Sequence, residues 1–256
     1  MDILILGANG MLGPAVIEAL QSNHRLRLTD INDLETRHEY LKVDVSSLDQ
    51  VVQAARGMDA IINLSVLRED VNLAFDVNFR GTYNTMVAAL ENGISRVVNT
   101  GPHFTVTGET YDGFDFQLSP DMPAQPGINL YAITKSLGHE VCRIFARMHP
   151  INVISLFFYT FTSTQQIRKT VGSAAYITEW RDAGEAVKLA AEMGAEKLPS
   201  TYEAFFILAD MPHGKYVNEK AKRILGWEPK YLLENNWTKS NVPYDIDPRY
   251  DFISDT

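Results

Sequence analysis

The sequence predicts an α/β protein with a doubly wound, mostly parallel sheet and helices on both faces. Two observations lead to this prediction. Short apolar segments bounded by turn residues alternate with amphipathic helical segments over the first 160 residues, which is the pattern of βαβ units. The first apolar segment, residues 2–6, is continuous, as expected for a strand that is buried on both faces of a parallel sheet.

The elements follow from apolar spacing and from turn and capping residues. Strands are expected at 2–6, 25–29, 40–43, 60–64, 96–100, 151–158 and 204–208. Helices are expected at 11–20, 47–56, 75–90, 130–148, 182–192 and 215–225. The pattern loosens after residue 160. We therefore expect a main α/β domain over 1–160, and a small C-terminal portion over 161–256 that completes a site against it without being an independent domain.

Composition excludes several classes of function. The 256-residue chain has 23 Lys and Arg against 32 Asp and Glu, a net charge of −9, so a nucleic-acid or anionic-membrane partner is not expected. No apolar run approaches the roughly 20 residues of a transmembrane helix. The single cysteine, Cys142, cannot form an internal disulfide, which favours a reducing, cytoplasmic location. No Cys/His cluster has the spacing of zinc ligands, so no metal is expected.

Three glycines stand between the first strand and the first helix. Gly7, Gly10 and Gly13 would let the backbone approach a pyrophosphate, which the helix N-terminus attracts with free N–H groups and a positive dipole end. Asp30 ends the second strand, where a carboxylate can accept hydrogen bonds from an adenosine ribose. The alternative is a tight turn that serves packing alone. We favour a dinucleotide site, and NAD over NADP because a carboxylate at 30 repels a 2′-phosphate, although arginines in the same strand weaken that preference.

A tyrosine and a lysine share one face of the helix at 130–148. Tyr131 and Lys135 are four residues apart, so an ammonium one turn away can stabilise a phenolate whose ordinary pKa is about 10. That pairing makes proton transfer with an alcohol or a ketone feasible. The same spacing also arises by chance on solvated helices, and its place downstream of a dinucleotide turn favours the catalytic interpretation.

Six segments carry a resemblance to a known family. They are Gly7-Ala-Asn-Gly-Met-Leu-Gly13, Asp30, Lys42-Val-Asp44-Val45, Asn63-Leu-Ser65, Asp76-Val-Asn78-Phe-Arg-Gly81-Thr82 and Tyr131-Ala-Ile-Thr-Lys135. In this order the chain resembles the extended short-chain dehydrogenase/reductase superfamily, the NAD-dependent epimerase/dehydratase group, over about 1–160. Within that group its loop at 119–126 is similar to that of the uronate dehydrogenases.

The resemblance implies a Rossmann fold and an NAD-dependent oxidoreductase that acts on a sugar or sugar acid, with a homodimer formed by the helices at 75–90 and 130–148. Gly7, Gly10, Met11, Leu12 and Gly13 would hold the pyrophosphate, Asp30 the adenosine ribose, and Asp44 and Val45 the adenine. Asn63, Leu64 and Ser65 would line the middle of the cofactor. Tyr131 would be the acid/base, Lys135 would also reach the nicotinamide ribose, and Asn78 would support the site. All three are expected to take part in cofactor binding. Arg168 would bind a substrate carboxylate, although a solvated loop arginine is an equally good interpretation.

One position departs from the family pattern. The superfamily places a Ser or Thr after the fifth strand, and this sequence has Gly101 there. The hydroxyl could come from Thr100 or Thr105, or His103 could donate a proton to the substrate instead. We expect Gly101→Ser to raise turnover if the missing hydroxyl limits the rate. Two other functions stay open: a nucleotide-sugar epimerase or dehydratase, for which the C-terminal portion looks short, and a non-catalytic NAD-binding sensor or scaffold.

Overall fold

The computed structural model describes residues 1–108, 117–163, 177–210 and 214–231. The strands are β1 (Asp2–Leu6), β2 (Arg25–Asp30), β3 (Glu39–Lys42), β4 (Ala60–Asn63), β5 (Arg96–Pro102), β6 (Asn152–Phe158), β7 (Thr160–Thr162), β8 (Ile177–Glu179) and β9 (Tyr202–Phe206). Within these residues, seven strands form one sheet in the order β3-β2-β1-β4-β5-β6-β9, and β7 pairs with β8. All of these pairs are parallel. The predicted fold class is confirmed.

Helices cover both faces of this sheet. They are α1 (Gly13–Leu20), α2 (Leu48–Ala54), α3 (Val71–Ala74), α4 (Gly81–Glu91), α5 (Phe104–Thr107), α6 (Leu130–Met148) and α7 (Trp180–Glu192). Alternate residues of β1 separate the two cores, as the period of a strand requires. Ile3 and Ile5 pack with α1 and α7, whereas Leu4 and Leu6 pack with α2, α4 and α6. The continuous apolar segment at 2–6 is therefore explained by burial on both sides.

The strand order creates a crevice at one edge of the sheet. The chain runs outward from β1 through β2 to β3 and then returns to β4, on the other side of β1. Ligands of open α/β sheets bind at such a reversal, beyond the carboxyl ends of the strands. The loops that follow β1, β4 and β5 all emerge at this edge.

The predicted helix at 75–90 is longer and less regular than expected. It begins with α3, for which Asp70 accepts a hydrogen bond from the Leu73 amide (2.9 Å), and it passes through a π-helical segment, Phe75–Arg80, before α4. π-helical turns occur often at functional sites. This one carries the buried side chain of Asn78, which bonds to two other elements of the site described below.

The C-terminal elements differ most from the sequence prediction. The helix expected at 215–225 is only a π-helical turn, Ala221–Leu225, because Tyr216 instead forms a β-bridge with Leu118. β9 belongs to the main sheet, so residues after 160 complete the same layer as those before it. The division into 1–160 and 161–256 stays a prediction.

The chain after this turn is held against α7. Trp227 is fully buried, and its indole N–H donates to the carbonyl of Asp182 (2.9 Å). The Asp182 carboxylate accepts hydrogen bonds from the amides of Lys230 and Tyr231 at 3.0 and 3.1 Å. Burial raises the pKa of this carboxyl, and the two backbone donors oppose that shift.

Candidate active site

The glycine turn lies between β1 and α1 and needs its glycines for different reasons. Gly7 has a φ of +77°, and a Cβ there would lie 2.8 Å from the Ser65 nitrogen. A Cβ on Gly13 would lie 1.9 Å from the Ala8 carbonyl oxygen, so this position fixes how closely the helix packs on the turn. Gly10 is less crowded, with a contact of 3.1 Å to the Gly7 oxygen.

The amides that the turn leaves unused match an anionic ligand. Among the described residues, the backbone N–H groups of Met11 and Leu12 donate to no other group, although the Gly10 and Gly13 amides are bonded within the turn at 3.1 Å. Both lie immediately before α1, where the helix dipole adds positive potential. The turn therefore provides two free donors and no side chain where a pyrophosphate is expected.

Asp30 is fixed beside this turn. Its two carboxylate oxygens accept hydrogen bonds from the backbone amides of Asn9 and Asn32, both at 3.0 Å. Each oxygen keeps a second lone pair, so the group can still accept from ribose hydroxyls. Asp44, in the next loop, accepts from the amide and hydroxyl of Ser46 at 2.9 and 2.7 Å. Val45 is buried and packs against the site of Gly81.

The end of β4 continues the same crevice. Asn63 uses its side chain internally, accepting from the Ser65 amide (3.1 Å) and donating to the Asn99 side chain (3.0 Å). Leu64 and Ser65 are buried, and the Ser65 hydroxyl has no hydrogen-bond partner among the described residues. Such an orphaned polar atom fits a site completed by a ligand.

Lys135 joins three elements at the centre of the site. It is 2% exposed, and its ammonium donates to the carbonyls of Ser65 (2.7 Å) and Thr100 (3.1 Å). These bonds tie α6 to the ends of β4 and β5. Burial lowers the pKa of this lysine to about 7.

Tyr131 lies one helical turn earlier, at the start of α6, where Asn129 caps the helix by accepting from the Ala132 amide (3.0 Å). Burial raises the pKa of Tyr131, while the charge of Arg68 and a hydrogen bond from it lower that pKa. The guanidinium carbon of Arg68 is 5.1 Å from the centre of the Tyr131 ring. The cation that contacts the ring of this phenol is Arg68, which sequence reasoning missed.

One cavity of about 500 Å³ connects the turn with this pair. Its lining comes from the glycine turn, the ends of β4, β5 and β6, the start of α6 and β7. The residues are Met11, Leu12, Leu64, Val66, Arg68, Thr100, Gly101, Pro102, Phe104, Asn129, Leu130, Tyr131, Lys135, Phe158, Tyr159, Thr160 and Phe161. The amides expected to hold a dinucleotide and the side chains expected to transfer a proton therefore line one space.

Of the three residues that could replace the missing hydroxyl, the structure brings one to the cavity. Thr100 lines it, with its hydroxyl donating to the Asn63 carbonyl (2.9 Å). His103 is not among the described lining residues; it packs against Tyr159 with ring centres 4.4 Å apart, and burial lowers its pKa to about 4. Thr105 is buried, with its hydroxyl on the Pro102 carbonyl (2.9 Å), and is likewise absent from the described lining. Arg168 lies outside the described residues.

A side chain at Gly101 would point towards a buried histidine. A Cβ built there lies 2.2 Å from the Nε2 atom of His139, a buried side chain of α6. The other ring nitrogen of His139 is 3.1 Å from the Ser155 hydroxyl and 3.3 Å from the Asn99 amide nitrogen, which hold the ring in place. The glycine makes room for this imidazole.

The expected gain from Gly101→Ser is therefore reversed. We expect this substitution to destabilise the fold by about 1–3 kcal/mol through overpacking and to lower turnover. Thermal unfolding of a double-mutant cycle with His139→Ala measures the clash directly, because the added side chain should cost much less when the imidazole is gone. Equal destabilisation in both backgrounds would contradict the assignment of the clash to His139.

Comparison with known proteins decides the family. A profile of the NAD dependent epimerase/dehydratase family matches residues 3–190, more than half of the chain. The chain belongs to this family. The predicted cofactor, NAD, is confirmed as the cofactor of the family, and the free amides, the carboxylate of Asp30 and the orphaned Ser65 hydroxyl fit it.

The relatives and solved structures to which this chain is similar differ in activity. An NAD-dependent glucose-6-phosphate dehydrogenase from Haloferax volcanii is 23% identical, with 89% of this chain and 92% of the relative covered. The uronate dehydrogenase from Agrobacterium tumefaciens superposes with a TM-score of 0.77 at 21% identity, over 91% of this chain and 86% of that one. A UDP-galactose 4-epimerase superposes with a TM-score of 0.74 at 17% identity, over 92% and 96%. At these identities the solved structures show the fold.

The described residues form neither a membrane-spanning helix nor a cluster of metal ligands. No helix there is long and apolar enough to cross a membrane. Among the same residues, no three His, Cys, Asp or Glu side chains are grouped so that they could hold a metal ion.

Proposed function

We propose that the protein is an NAD-dependent dehydrogenase that oxidises a sugar or sugar acid at its anomeric carbon. The observation that carries this proposal is the single cavity that joins the free amides of Met11 and Leu12 to Tyr131 and Lys135. A site with only one of these halves would bind a nucleotide or polarise an alcohol. Both halves together allow an alcohol to be oxidised beside the cofactor.

The residues of the crevice divide the cofactor between them. Gly7, Gly10 and Gly13 leave room for the pyrophosphate, and the Met11 and Leu12 amides donate to it. Asp30 accepts from the adenosine ribose, and Asp44 and Val45 flank the adenine. Leu64 and Ser65 line the middle, while Asn63 and Asn78 hold the surrounding loops. Lys135 donates to the nicotinamide ribose. NAD, when bound, supplies the hydride acceptor.

Tyr131 would take the proton of the substrate's anomeric hydroxyl, and loss of the anomeric hydride to bound NAD would leave a lactone. Arg68 favours the phenolate that this step requires, and Lys135 fixes the carbonyl ends of β4 and β5 around it. The phenolate fraction of Tyr131 grows with pH, so the rate of oxidation should rise towards alkaline pH. Burial raises the pKa of Tyr131 and so moves this rise to higher pH.

Two other functions compete with this proposal. A nucleotide-sugar epimerase or dehydratase also belongs to this family, and chain length does not separate the two, since this chain covers 96% of the superposed UDP-galactose 4-epimerase. A non-catalytic NAD-binding protein was suggested by the glycine at 101. The space for His139 gives that glycine a packing role, so it is no evidence against turnover.

A substrate panel tests the proposal. Purified protein is mixed with NAD and with hexuronates, aldoses and sugar phosphates, and NADH formation is followed by absorbance. We expect NADH to accumulate with at least one sugar. Retained cofactor without net NADH would favour the epimerase. An increase in melting temperature with NAD but no turnover would favour the sensor or scaffold.

The homodimer is proposed from exposed apolar side chains on four neighbouring elements: α3, the π-helical segment, α4 and α6. Its side chains are Val71, Leu73, Phe75, Tyr83, Leu137, Ile144 and Met148. We expect Leu137→Glu to shift the protein towards a monomer in light scattering, because it places a charge in a desolvated interface. Leu41→Glu on β3, equally 38% exposed in the wild type, is the control and should leave the mass unchanged. A monomeric wild type would contradict the proposal.

The cytoplasmic location stays a prediction.

A further inference from the structure

Arg68 is a cation of the cavity for which the proposed reaction names no contact with the substrate. It lies on the loop between β4 and α3, its side chain is exposed, and it lines the cavity beside Tyr131. Its guanidinium carbon stands 5.1 Å from the centre of that ring. An arginine fork here faces the same space as the proton-transferring hydroxyl.

The loop that carries Arg68 is fixed in relation to α6. On one side, the Leu67 amide donates to the Asn78 side chain (3.0 Å), which donates back to the Leu67 carbonyl (2.6 Å). Asn78 also donates to the Thr134 hydroxyl on α6 (3.0 Å). On the other side, Asp70 caps α3 through the Leu73 amide. The backbone that presents Arg68 is thus held in place before any ligand arrives.

The positive charges of the cavity have no acidic side chain beside them in the described lining. Among the described residues Arg68 forms no salt bridge, although Glu69 and Asp70 follow it in sequence. The described lining holds two cations, Arg68 and Lys135, and no Asp or Glu, in a chain whose net charge is −9. Beyond the effect of burial, the charge of Arg68 lowers the pKa of Lys135 further, so the two cations repel each other. An anion between them would relieve that repulsion.

We propose that Arg68 binds a carboxylate or phosphate of the substrate, which makes acidic sugars the preferred substrates. This inference rests on the proposed function and names the substrate class of the same site. The guanidinium offers parallel N–H donors that match either anion in a bidentate pair. Because Arg68 lies against Tyr131, a monosaccharide whose anion meets the guanidinium holds its reacting hydroxyl within the same cavity.

Substitution separates charge recognition from catalysis. Arg68→Met should raise KM for acidic sugars by about 10–100-fold, as expected for losing hydrogen bonds to a charged group. KM for a neutral aldose and for NAD should stay within about twofold of wild type. Arg68→Lys should recover part of the loss, because it restores the charge without the fork. The smaller wild-type KM, for a hexuronate or for a hexose phosphate, identifies the anion.

Two controls keep the outcomes distinct. Arg56→Met removes an exposed arginine after α2, outside the described lining of the cavity, and should change nothing, whereas Arg168→Met tests the other candidate for the anion. An equal rise in KM for acidic and neutral sugars, or unchanged KM values in Arg68→Met, would overturn the inference. If wild type oxidises no sugar, the proposed function fails. The inference is then decided by whether a hexuronate or hexose phosphate raises the melting temperature with NAD present in wild type but not in Arg68→Met.

Discussion

Tyr131→Phe is expected to lower kcat/KM for sugar oxidation by about 10²–10⁴-fold, the usual contribution of a general acid–base group. The substitution removes only the hydroxyl, so the ring contact with Phe104, at 5.7 Å between centres, should persist. The affinity for NAD should therefore be unchanged in calorimetric titration, and the loss should appear in kcat.

The matched control is Tyr83→Phe, which removes a hydroxyl from a tyrosine on α4 that is outside the described lining of the cavity. It should retain wild-type rates. Full activity of Tyr131→Phe would refute the assignment of the acid/base, since the reaction would then not need the Tyr131 hydroxyl. A variant that also lost NAD binding would indicate that the tyrosine acts on the cofactor rather than on the substrate.

Gly13→Ala is expected to abolish NAD binding and to destabilise the fold by at least about 1–3 kcal/mol, because the turn must move to accept the added atom. The new Cβ would lie 1.9 Å from the backbone oxygen of Ala8, which cannot yield as a side chain would. Thermal unfolding and titration with NAD measure the two effects separately.

Gly10→Ala is the comparison for this prediction. Its Cβ would meet only the Gly7 oxygen, at 3.1 Å, so a small adjustment suffices and the loss of stability should be clearly smaller. Equal stability of wild type and Gly13→Ala would contradict the close approach of α1 to the turn. Normal affinity for NAD in Gly13→Ala would contradict the placement of the pyrophosphate.

The sequence predicted best those elements whose ends are set by local chemistry. The helix expected at 130–148 has the same limits as α6, because Asn129 caps its start and Pro150 follows its end. The strand expected at 96–100 extends to Pro102 in β5. Its last residues are held by pairing with Phe157 and Phe158 of β6, which no local pattern reveals.

The parts of the site that sequence reasoning missed depend on contacts between distant elements. Arg68 meets Tyr131 only because Asn78, in an unexpected π-helical segment, fixes its loop to α6. In the sequence Gly101 stands where the family has a hydroxyl, and only the structure shows that this glycine leaves room for His139. The sequence shows an arginine in the loop after the fourth strand, but only the cavity shows that it belongs to the site.

Deuterium transfer is the most direct test of the central account, that one cavity holds NAD and the sugar so that Tyr131 can assist oxidation. A hexuronate carrying deuterium at its anomeric carbon is incubated with the protein and NAD, and the cofactor is analysed by mass spectrometry. The account predicts NADH that carries the deuterium with wild type, and almost none over the same time with Tyr131→Phe. Deuterium that stays in the sugar, with NAD bound and no labelled NADH, would contradict it.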